Sequence, residues 1–92
     1  MMHTIAVHPG AVLKDELGER KITQRRLALH IGVLPKVINE ICRGKRGISA
    51  EMACKLARAL GASPAFWLNL EKNWELSQVD EKRLPRIPKI AA

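Results

Sequence analysis

The chain has 92 residues, 47% of them hydrophobic, and a formal net charge of +7. That length suits one small domain with a marginal core, and the apolar share excludes a disordered tail. Aromatic residues make up 3%, with no tyrosine, which argues against single-stranded partners whose bases stack on aromatic side chains.

Five helices are predicted between two tails, residues 1–7 forming a short flexible N-terminal arm. His8-Pro9-Gly10 starts the first helix, because proline fits a first turn; Leu13 and Leu17 share a face, and Gly18 closes the element. Thr23 caps the second helix by accepting an orphan backbone N–H. Leu27, Ala28 and Ile31 form its apolar stripe, and Gly32 ends it in a left-handed conformation.

The third helix begins at Pro35. Leu34 has no capping side chain, at a cost of about 1 kcal/mol, and Pro35 partly offsets this with a helical φ and no surplus N–H. Ile38 and Ile41 face inward, Lys36, Asn39, Glu40 and Arg43 outward, and Val37 lies at the margin. Gly44 stops the helix, and Gly44-Lys45-Arg46-Gly47 makes a tight basic loop. Ser49 caps the fourth helix, where Met52, Ala53, Leu56, Ala57 and Leu60 recur at helical spacing up to Gly61.

Ser63-Pro64 opens a fifth helix that is apolar on two sides. Phe66, Trp67, Leu70 and Trp74 share one sector; Leu68, Leu76 and Val79 fall on a roughly opposite one. A small domain buries one such face, which leaves Leu68, Leu76 and Val79 as a candidate dimer or partner interface. Pro85 and Pro88 exclude a regular helix. The expected organisation is a domain over residues 1–79 and an extended, mobile arm over residues 80–92.

Gln24, Ala28, Gly32, Ile38 and Ile41 stand at gaps of 4, 4, 6 and 3 residues. That is the skeleton of a helix-turn-helix, with a small residue where two helices cross and a glycine in the turn; its second helix lies in the DNA major groove. The charge agrees. Between Arg20 and Arg46 eight basic residues face the single acid Glu40, so this segment carries the whole excess. Lys36 and Arg43 can reach guanine or a phosphate, and Asn39 can pair with the N6 and N7 of adenine. Glu40 is expected in a supporting role, with Val37 beside it. Thr23 and Gln24 stand where the start of the second helix favours a phosphate. Lys45 and Arg46 are placed to clamp the backbone.

Enzyme and cofactor signals are missing. Gly44-Lys45 lacks the upstream glycine of a phosphate-binding loop, and there is no H-E-x-x-H. Cys42 and Cys54 are too few for a disulfide framework and are expected as reduced packing residues. His3, His8 and His30 have no ligand-like spacing, so no metal is expected. No apolar run approaches the ~20 residues of a membrane span, and Met1 to Val7 is too short for a signal peptide. The expected location is cytoplasmic.

The chain resembles the HigA-type antitoxins of the lambda-repressor-like helix-turn-helix group. The likeness runs from His8 to Leu76. It rests on His8-Pro9-Gly10, the Gln24 to Ile41 skeleton, the loop Gly44 to Ser49, and Ala57-Arg58-Ala59-Leu60-Gly61 with Ser63-Pro64 and Phe66-Trp67-Leu68-Asn69-Leu70. The resemblance implies an all-α, five-helix lambda-repressor-like fold. It further implies a homodimer on a palindromic double-stranded operator in its own promoter, and a RelE-like mRNA-cleaving toxin neutralised by complex formation. The alternative is a stand-alone repressor without a toxin. Many relatives carry a hydroxyl cap and an arginine or glutamine where this chain has Leu34, Pro35 and Lys36, a departure that touches the operator sequence and leaves the docking mode intact.

Overall fold

Each helix begins where local chemistry supplies an acceptor or removes a surplus donor. In the computed structural model, which describes residues 6–91, five helices follow one another: α1 (Pro9–Arg20), α2 (Gln24–Ile31), α3 (Pro35–Cys42), α4 (Ala50–Leu60) and α5 (Pro64–Ser77). A single 3-10 turn, Glu81–Arg83, comes next, and residues 84–90 hold no regular element. There is no strand among the described residues. The expected N-terminal arm falls largely on residues 1–5, outside the described residues, as does His3.

The hydroxyls of Thr23, Ser49 and Ser63 accept from the backbone N–H groups of Arg26, Met52 and Phe66. Leu34 makes no side-chain cap, and Pro35 opens α3. Gly32 ends α2 at φ 76°. Gly44, at φ 73°, lets the Lys45 N–H reach back to the Glu40 carbonyl at 2.8 Å, satisfying one of the last carbonyls of α3.

The expected close of the first helix at Gly18 is corrected: α1 runs on to Arg20 and ends at Lys21, left-handed at φ 55°. An exposed mid-helix glycine costs up to about 1 kcal/mol. The extra residues are held by one tertiary contact and one within the helix. Arg20 Nη2 donates to the Leu60 carbonyl at 2.7 Å, at the end of α4, and its Nε donates to Glu16 at 3.1 Å.

The core takes one face from each helix. Leu13 and Leu17 of α1, Leu27 and Ala28 of α2, Ile38 and Ile41 of α3, and Met52, Ala53, Leu56 and Leu60 of α4 close around Trp67 of α5. α3 packs against α1 and α2, and α5 against α1 and α4. Gly10 makes the first of these contacts possible, because a Cβ there would overlap the carbonyl oxygen of Ile41.

Two expectations about packing change. Cys54 is exposed on α4; Cys42 is half-buried. On α5, Leu68 packs against the core, whereas Leu76 is 71% and Val79 49% exposed. The three therefore do not form one free face. α5 lies against both α1 and α4, so it buries a wider sector than a single stripe, and Val79 lies past its last residue, Ser77. No described helix is long and apolar enough to cross a membrane.

Candidate nucleic-acid interface

α3 is anchored by Ile38 and Ile41, both fully buried. Helical geometry then turns Lys36, Asn39 and Arg43 to the outside, and all three are exposed. Lys36 and Arg43 are two turns apart and share a side of the helix. Asn39 is tethered: its Nδ2 donates to Gln24 Oε1 at 3.2 Å. That bond uses one amide hydrogen. The second hydrogen and Oδ1 stay available, the donor–acceptor pair that adenine requires. Gln24, half-buried at the start of α2, thereby serves the outer face of α3 and keeps its own Nε2 free.

The other expected residues divide in two groups. Lys45 and Arg46 are exposed in the loop after α3, beside the helix as anticipated. Thr23, Val37 and Glu40 are largely engaged within the protein. The Thr23 hydroxyl accepts the Arg26 N–H at 3.0 Å. Val37 is half-buried and packed on the core. Glu40 Oε1 accepts from Arg46 Nε at 3.0 Å and Nη2 at 2.7 Å, which orients Arg46 and occupies one carboxylate oxygen. A half-exposed pair of this kind adds only about 0.2–1 kcal/mol to stability, so its consequence is geometric.

One residue lies outside the sequence-derived set. Glu71 is 5% exposed, and its Oε1 accepts the Ile48 backbone N–H at 2.7 Å. Burial pushes its carboxyl up, and hydrogen bonding with Glu75 adds to this; the Ile48 N–H acts in the opposite direction. Glu75 is held below its usual range, chiefly by the bond with Glu71 and then by Lys72. The sequence signal for Glu71 is its place four residues after Trp67, on the buried side of α5. Burial also pushes the Cys42 thiol up, which keeps it from becoming a reactive thiolate. Among the described residues no group of three or more His, Cys, Asp or Glu is arranged to hold a metal.

The sequence family described as Helix-turn-helix matches residues 13–67. Over 83 residues the chain is 34% identical to the uncharacterized HTH-type transcriptional regulator YddM of Escherichia coli (strain K12), covering 86% of this chain and 88% of that protein. It is 40% identical to the Pseudomonas aeruginosa antitoxin HigA, solved with the higBA promoter, at a TM-score of 0.77 over 79% of this chain and 80% of that one. The antitoxin GraA superposes at a TM-score of 0.82 with 30% identity, over 92% of this chain and 100% of that one.

Proposed function

The chain belongs to the helix-turn-helix family, in the group of HigA-type antitoxins, and on that premise we propose that it binds operator DNA in its own promoter as a homodimer, represses it, and neutralises a cognate toxin by complex formation. The observation that carries the DNA half is the outer face of α3. Lys36, Asn39 and Arg43 are exposed side by side, Asn39 is pre-oriented by Gln24, and the Lys45–Arg46 loop continues the positive surface. In this reading Asn39 reads adenine, Lys36 and Arg43 grip guanine or phosphate, and Thr23, Gln24, Lys45 and Arg46 hold the backbone. Val37 adds apolar contact at the margin, and Glu40 keeps Arg46 in place. The P. aeruginosa antitoxin HigA, solved with the higBA promoter, supports the operator-binding part of this reading. The toxin, of the RelE-like mRNA-cleaving class, and the homodimer rest on the family, and for the homodimer also on the exposed apolar residues at the end of α5.

Fluorescence anisotropy against a duplex of the protein's own promoter and a scrambled duplex tests this. Specific binding should be at least roughly a thousandfold tighter than scrambled binding at physiological salt. Lys36→Ala with Arg43→Ala should weaken promoter binding by about 10–100-fold and narrow that ratio. Unchanged promoter affinity in the double variant would remove α3 as the reading helix. Co-expression with the product of the adjoining gene should yield a complex that survives size-exclusion chromatography.

A further inference from the structure

The loop that joins α3 to α4 is basic and exposed at Lys45 and Arg46, yet it is tied at both ends. At its start, the Gly44 N–H donates to the Ile41 carbonyl at 3.0 Å and the Lys45 N–H to the Glu40 carbonyl at 2.8 Å. Arg46 is drawn onto Glu40. These ties all come from α3. At its far end the tie comes from a different helix: Glu71 of α5 accepts the Ile48 N–H at 2.7 Å. The fit is close on the next residue too, since a Cβ on Gly47 would lie 2.7 Å from Glu71 Oε2. An acid that is 5% exposed is costly to bury without reason, and an apolar residue at this position of α5 would serve the core better. The hydrogen bond to Ile48 gives the carboxylate an acceptor's role and sets the loop at a fixed distance from α5.

We infer that Glu71 is a positioning residue for DNA binding: from α5 it holds the Gly44–Ile48 loop in the pose that presents Lys45 and Arg46 to the DNA backbone. The inference rests on the DNA-binding reading above. It assigns Glu71 no contact with DNA. It also makes α5, the helix whose C-terminal end carries exposed Leu76, mechanically continuous with the phosphate-gripping loop.

Three variants and one measurement on the unaltered chain test it. Glu71→Gln keeps the carbonyl acceptor for Ile48 and can donate to Glu75, so its affinity for duplex DNA should stay within about twofold of wild type. Glu71→Ala removes the acceptor, and Gly47→Ala displaces the carboxylate from the loop side. Both should weaken binding to promoter and random duplex alike, roughly tenfold, and lower the log–log salt slope of a dimer by about 2, one phosphate per protomer. Thermal unfolding of each variant separates this from loss of fold, because loss of fold would not be rescued selectively by glutamine in the salt slope. In the unaltered protein the Ile48 amide should be protected from hydrogen exchange, unlike the amide of Arg46. The proposal is overturned if folded Glu71→Ala or Gly47→Ala keeps the wild-type slope, if Glu71→Gln loses as much as Glu71→Ala, or if the Ile48 amide exchanges as freely as that of Arg46. Failure of the operator reading looks different: wild type would bind promoter and random duplex equally, while the variants' effect on random duplex and the protection of Ile48 would remain.

Discussion

At the start of α1 the neutral form of His8 is needed for the cap. Its Nδ1 accepts the Gly10 amide at 2.9 Å, which an imidazolium cannot do, while its ring meets Trp74 edge-on at 5.2 Å. Burial lowers its pKa below the ordinary histidine value. The unfolded chain therefore takes up this proton first as pH falls. The stability His8 contributes is full above the unfolded value of about 6.5 and is lost as pH drops through the lower folded value. Glu71 has the opposite sign: its raised pKa means that its contribution declines as pH rises through the folded value. His8→Asn isolates the first effect, because asparagine caps without titrating. Differential scanning calorimetry between about pH 8 and pH 5 (about 1.5 either side of a free imidazole's midpoint) should show Tm falling more steeply in wild type than in His8→Asn; parallel profiles would take His8 out of the pH dependence. The sequence shows His8 as a helix start because capping is a local property. Its edge-on contact with Trp74 depends on how α1 and α5 meet, which no local pattern encodes, and the same holds for Glu71 and Ile48.

α5 is the element whose surface differs most from its sequence pattern. A helical wheel separates Leu68 and Leu76 from Trp67, but contact with two helices at once draws Leu68 into the core and leaves Leu76 outside at 71% exposure. The two leucines therefore answer different questions. Leu68→Glu would insert a charge beside the core and destabilise the fold itself. Leu76→Glu changes only the outer surface, so Tm should move by less than about 0.5 kcal/mol equivalent. If the end of α5 pairs two copies, sedimentation velocity will show the wild-type dimer converted to monomer in Leu76→Glu; a persistent dimer with unchanged Tm would move the pairing surface elsewhere. Across the other elements, starts are legible where a single side chain or proline does the work, as at Thr23, Pro35, Ser49 and Ser63. Ends are legible where a glycine takes a positive φ, as at Gly32, Gly44 and Gly61. At α1 that position falls to Lys21, because Arg20 is engaged by α4, and the nearby Gly18 misleads.

Over the whole molecule, charge and shape are segregated. All eight basic residues between Arg20 and Arg46 are exposed, and the fold gathers Lys36, Arg43, Lys45 and Arg46 around α3 and its loop. Beyond Ser77 the chain leaves the bundle: the radius of gyration is 16.1 Å and the long axis 52 Å, against about 12 Å for the radius of a compact chain this long. Leu84, Ile87 and Ile90 are exposed there. The clustering, unlike the individual contacts, is visible in the sequence, because all eight charges lie in the segment that holds the helix-turn-helix skeleton. It also has a measurable consequence. Four cations per protomer that each neutralise one phosphate give a dimer a slope of roughly −7 in log Kobs against log salt. Arg20 and Arg46 are partly spent on Glu16 and Glu40, but Glu40 orients Arg46 without neutralising the site as a whole. The slope for Leu76→Glu should fall to about half the wild-type value if that variant is monomeric, since one protomer then releases only its own counterions. A wild-type slope shallower than about −3 would mean that the α3 surface and its loop do not reach the backbone together, and the basic segment would then serve solubility alone.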